Sequence, residues 1–82
     1  MTREDALIVM AWLATHPGSD ANTLGRIVTN GGTPRQVSRA GHLVASDLCR
    51  FGYVRAIRET GRNQSRLLYT LTRDGRRLLK DL

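Results

Sequence analysis

Apolar positions recur with a helical period up to Gly52 and with a shorter, strand-like period after it. Thr2 and Asp5 make a T-x-x-D start signal ahead of the unbroken apolar run Ala6–Ala14. A helix over residues 3–15 is expected, apolar nearly all round and therefore central to the fold. Trp12 falls inside that run and reads as a core residue. "HPG" at 16–18 ends the helix. Ser19 or Asp20 caps a second helix over about 20–29, whose apolar stripe is Leu24, Ile27 and Val28. "NGG" at 30–32 stops it, with Asn or Gly taking the left-handed conformation.

A third helix is signalled three times over. Thr33 and Gln36 make a capping box, and Pro34 stands at the first helical position. At 100° per residue, Val37, Ala40, Val44, Leu48 and Phe51 fall within about 40° of one direction and form the expected core stripe. Arg35, Arg39, His42, Ser46 and Arg50 fall opposite, with Ser38 and Cys49 at the edge. Asp47 is the only acid on this helix, so the outward strip is almost wholly donor or cationic.

Gly52 ends the third helix. "YVRAIRET" and "RLLYTL" then flank the turn-rich "GRNQS", which predicts a β-hairpin over residues 53–71. Arg55, Arg58, Arg62 and Arg66 decorate it, while Tyr53 and Tyr69 read as packing residues. Thr72 caps a last helix over 73–82, with Asp74 in its first turn and Lys80 in its last. Leu71, Leu78, Leu79 and Leu82 tie it to the core, and Gly75 permits close packing. The expected class is α+β, one domain over residues 1–82. A hairpin alone is marginal, so it must pack on the helices, with room for a short third strand that the sequence does not display.

Charge sharpens the picture. The net charge of +6 is lopsided: residues 1–34 carry two basic residues against three acids, residues 35–82 eleven against four. A basic half on a small chain suggests a polyanionic partner; a solvated surface is the plain alternative. Twelve of the thirteen basic residues are Arg, as a GC-rich genome would also write. Arg suits the task, because its guanidinium fork matches guanine O6/N7 and phosphate oxygens in pairs. A helix fits the major groove of B-DNA and is excluded from the deep, narrow groove of A-form RNA. With 5% aromatic residues, the chain has few rings to stack on RNA bases.

Other classes find little support. The single Cys49 excludes an internal disulfide and a multi-cysteine metal site. His16 and His42 have no ligand-spaced companions, and there is no phosphate loop, nucleophile elbow or nucleophile–base pair. No enzyme and no cofactor is expected. No apolar run is long enough to span a membrane, and the start lacks a basic n-region and a clear cleavage site, so a cytoplasmic protein is expected.

Two helices joined by a short Gly-containing turn, the second basic outside and followed by a hairpin, make a winged helix-turn-helix arrangement. Here the chain resembles the bacterial winged helix-turn-helix transcriptional regulators of the multiple-antibiotic-resistance and phenolic-acid-decarboxylase regulator types. "LVASDLCRFGYVRA" is similar to that family's end of recognition helix, L-x-x-L-x-x-x-G-[LY]-[VI]. "LLYTLTRDGRRLLKDL" is similar to its passage from wing to next helix, Y-x-L-T-x-x-G-x-x-L-L. The resemblance covers roughly residues 5–82.

It implies that the Thr33–Phe51 helix enters the major groove and that the hairpin tip approaches the minor groove or backbone. Arg35, Gln36, Ser38, Arg39 and His42 would face bases or phosphates, and Arg62 and Asn63 would stand at the wing tip. Ser46, Arg50, Arg58 and Arg66 complete the expected DNA-contacting set. Gln36 has the competing task of closing the capping box. One departure is length: Thr33 to Gly52 is about one turn longer than the family pattern, so either the helix is longer or its first turn is distorted near Gly41. A homodimer through the first and last helices is compatible with the sequence and not demanded by it.

The function expected is sequence-specific binding of double-stranded DNA in transcription regulation, in a bacterium, phage or mobile element. Two alternatives stay open. One is a winged-helix module that docks an acidic protein; the other is a DNA-architectural factor for excision or replication.

Overall fold

The computed structural model describes residues 1–61 and 65–81. Four helices and three strands follow one another along the described chain: α1 (Arg3–Thr15), β1 (Ser19–Asp20), α2 (Ala21–Thr29), α3 (Pro34–Arg50), β2 (Val54–Thr60), β3 (Ser65–Leu71) and α4 (Arg73–Lys80). The strands form one antiparallel sheet in the order β1-β3-β2. This is an α+β fold, as the sequence predicts.

Each helix starts where a side chain can take up its unpaired N–H groups. Thr2 accepts from the Asp5 N–H and Thr72 from the Gly75 N–H, both at 3.1 Å. Of the two candidates for α2, Asp20 is the cap: its Oδ1 accepts from the Thr23 N–H at 2.9 Å and the Thr23 hydroxyl at 2.8 Å. The capping box of α3 is complete. Gln36 donates its N–H to Thr33 Oγ1 at 3.3 Å, and Gln36 Oε1 accepts from the Thr33 N–H at 2.9 Å. Asn30 takes the left-handed conformation that ends α2, with φ 48°.

The core is built from Val9, Met10 and Leu13 of α1, Ala21 and Leu24 of α2, Val44, Ala45 and Leu48 of α3, and Val54, Tyr69 and Leu71 of the hairpin. Leu78 and Leu79 of α4 pack against it, as expected. Three sequence expectations need correction. Phe51 and Ala40 are not in the core stripe; Ala40 is only half-buried, and Phe51 is 60% exposed at the C-cap of α3, with its ring 6.4 Å from that of Tyr53. The buried direction of α3 runs instead through Val37, Gly41, Val44, Ala45 and Leu48. It is rotated by roughly 45° from the expected stripe, because α2 closes on the Gly41–Ala45 side. Second, α1 is not central on every side: Ile8 and Ala11 are exposed. Third, Trp12 is half-buried, its indole N–H donated to Ser19 Oγ at 3.0 Å and its ring stacked on His16 at 3.6 Å.

The third strand is β1, two residues long, with Ser19 opposite Tyr69 and Asp20 opposite Leu68. It carries the chain from α1 into α2 while closing one edge of the hairpin. Helix α3 runs unbroken through Gly41 for 17 residues, so the extra length is a longer helix and not a distorted turn. The last helix ends at Lys80, with Asp81 as its C-cap. Arg62, Asn63 and Leu82, which the sequence assigns to the hairpin tip and the end of the last helix, lie outside the described residues.

Candidate nucleic-acid interface

The outward strip of α3 follows from the core it leaves behind. Arg35, Gln36, Arg39, His42, Leu43, Ser46 and Arg50 are all exposed, and Ser38 is half-buried at the edge. From Arg35 to Arg50 the strip is roughly 22 Å long at 1.5 Å per residue. Among the described residues, no carboxylate pairs with Arg35 or Arg39. Arg50 lies 3.9 Å from Asp47, a solvent-exposed i,i+3 pair. Such a pair is worth little, and the guanidinium can leave it for a phosphate. Gln36 holds the capping box with Oε1, which leaves its amide N–H₂ to face outward.

The hairpin register divides its arginines between two faces. Val54 pairs with Leu71, Ala56 with Tyr69 and Arg58 with Leu67, so Arg58 extends the face that holds the core. Arg55 and Arg66 belong to the other face, with Ile57 and Leu68. Arg58 donates to Ser65 Oγ at 2.6 Å across the two strands. Arg66 is bound to acids on both sides, Glu59 at 3.4 Å and Asp20 at 3.9 Å. Arg58 is exposed toward the far end of the strand face that carries Val54 and Tyr69, and Arg66 bridges the acids of β1 and β2.

One cleft brings helix and hairpin together. It has a volume of about 300 Å³, and its lining includes His42 of α3, Asn22 of α2, and Arg66 and Tyr69 of β3. His42 and Arg66 thus border one depression, while Arg35 and Arg39 lie beyond it along α3. Asp20, on the rim, is held below the usual carboxylate range by the Thr23 N–H and then the Thr23 hydroxyl; Arg66 and Arg26 add to this, against the effect of burial. Burial pushes the Cys49 thiol up, and it does the same to the Tyr69 hydroxyl, with Cys49 adding a smaller effect.

Leu43 was not among the expected site residues, although it is 55% exposed on the strip itself. Its helical angle is only about 40° from that of Arg39 and would have placed it there. Among the described residues, no three His, Cys, Asp or Glu side chains gather to hold a metal ion. No helix among them is long and apolar enough to cross a membrane. No protein-family model, curated protein or solved structure matches the chain.

Proposed function

We propose that this protein is a winged helix-turn-helix factor that binds double-stranded DNA sequence-specifically and regulates transcription by occupying its site. Helices α2 and α3 are the helix-turn-helix, joined through Asn30–Gly32, and β2–β3 is the wing. Helix α3 lies in the major groove, and Arg58 approaches the backbone beside it. A cytoplasmic place on the nucleoid follows from such a role.

The observation that carries the proposal is the strip on α3. Its exposed positions run from Arg35 to Arg50 and hold three arginines against a single acid, the half-buried Asp47 at its edge. A surface serving only solubility mixes both signs of charge. An α-helix with long donors on its free face fits the major groove in width and chemistry. The lopsided charge adds attraction to phosphates at a distance.

Selection of genomic fragments by the purified full chain tests this. Enrichment of one short duplex motif supports it. No enrichment, with retention on an acidic protein instead, favours a protein-docking module.

A further inference from the structure

The strip of α3 changes character along its length. Arg35 and Arg39 stand in the N-terminal part and Arg50 at the last helical position, whereas Leu43 and Ser46 between them are uncharged. Leu43 is 55% exposed and belongs neither to the buried core nor to the apolar residues packed against it. It stands about 40° around the helix from Arg39 and about 60° from Ser46. Beside it runs a shallow groove lined by Thr29, Gly32, Gln36, Arg39 and Ala40. A bulky apolar side chain is thus held largely out to solvent in the middle of a cationic strip.

A recognition helix turns one side to the base edges of the major groove, its N-terminal part included, and those edges offer hydrogen-bond acceptors and methyl groups together. Arg39 and Leu43, four residues apart on that side, present a donor and an apolar surface to them. The C5-methyl of thymine is the apolar group that the major-groove edges of the bases offer. We infer that Leu43 is a specificity-determining residue that packs on a thymine C5-methyl in the preferred site. The inference rests on the DNA-binding role proposed above and adds one base to it. Arg35 and Arg39 supply the hydrogen bonds and charge, and Leu43 supplies preference for thymine at one or two positions.

The experiment uses the duplex selected by the full chain, with each thymine replaced in turn by deoxyuridine, which lacks only the methyl group. The parent should lose about fourfold in affinity at one or two thymines, the worth of one buried methyl. Leu43→Ala should bind the unmodified duplex more weakly than the parent and be indifferent to the same replacements. Uracil replacement leaves the protein untouched, so the result does not depend on how the variant folds. If no thymine is sensitive, if the site holds none, or if Leu43→Ala stays as sensitive as the parent, the inference falls while the DNA-binding role stands. If no duplex is preferred at all, the DNA-binding role itself fails, before any uracil is introduced.

Discussion

Gly25 and Gly41 face each other where α2 crosses α3. A β-carbon on Gly25 would overlap the Val37 carbonyl oxygen, and one on Gly41 would overlap that of Ala21. Each would also stand close to the other glycine's nitrogen, at 3.1 and 3.0 Å. The two backbones therefore touch with no side chain between them. This contact sets how α3 is turned about its own axis, and so which residues reach solvent.

Gly41→Ala should destabilise the protein by about 3 kcal/mol or more, since the added methyl meets rigid backbone. The gain in helix propensity, about 1 kcal/mol, has the opposite sign and is smaller. Urea unfolding followed by circular dichroism measures the difference. A variant as stable as the parent would mean that the two helices do not cross here.

Val44→Asp and Phe51→Ser should separate the buried from the exposed direction of α3. Val44 is 3% exposed, and an unpaired carboxylate there should unfold the domain. Phe51 is exposed, so Phe51→Ser should cost about 1 kcal/mol or less, mostly the lost contact with Tyr53. Thermal melting distinguishes the two; a large loss at Phe51 would restore the stripe expected from sequence.

Asp20 gives the fold a defined acid sensitivity. Its folded pKa is lowered, so its contribution is complete above the ordinary carboxylate range and is lost as pH falls through the folded value. Asp20→Asn keeps a good N-cap and removes that titration. Between about pH 5 and pH 2, the parent should lose more stability than Asp20→Asn, as melting temperatures across that range would show. Parallel curves would mean that Asp20 makes no such contribution.

Cys49 should be a slow thiol. It is half-buried and its pKa is raised by burial, so little thiolate exists at neutral pH. Its reaction with a disulfide reagent at pH 7 should be slower than that of a free cysteine and should rise to the denatured rate in urea. A fast reaction in the native protein would contradict the packing described at the end of α3.

Much of this fold was legible because its helix ends are local. Thr2, Thr33 with Gln36, Asn30 and Thr72 each act within four residues of their own position, and sequence displays that range directly. What was not legible depends on distant chain. The direction in which α3 is buried is set by Gly25 of α2, so Phe51, expected in the core stripe from its spacing, stands outside it. Strand β1 is two residues long, too short to carry a period, and exists because Tyr69 and Leu68 lie opposite. The acids that hold Arg66 come from β1 and β2. The arginine strip was readable because an exposed helix face needs only a period and a charge.

Titration of the selected duplex with the parent, Arg35→Ala and Arg39→Ala across a series of salt concentrations decides whether this strip meets DNA. Each variant should bind more weakly by about 1–3 kcal/mol where the arginine is bidentate to guanine. Where it meets a phosphate instead, the slope of log K against log salt should flatten by about 0.9. Melting should be unchanged in both, since neither side chain touches the core. If both variants match the parent in affinity and in salt slope, helix α3 is not the DNA-contacting element.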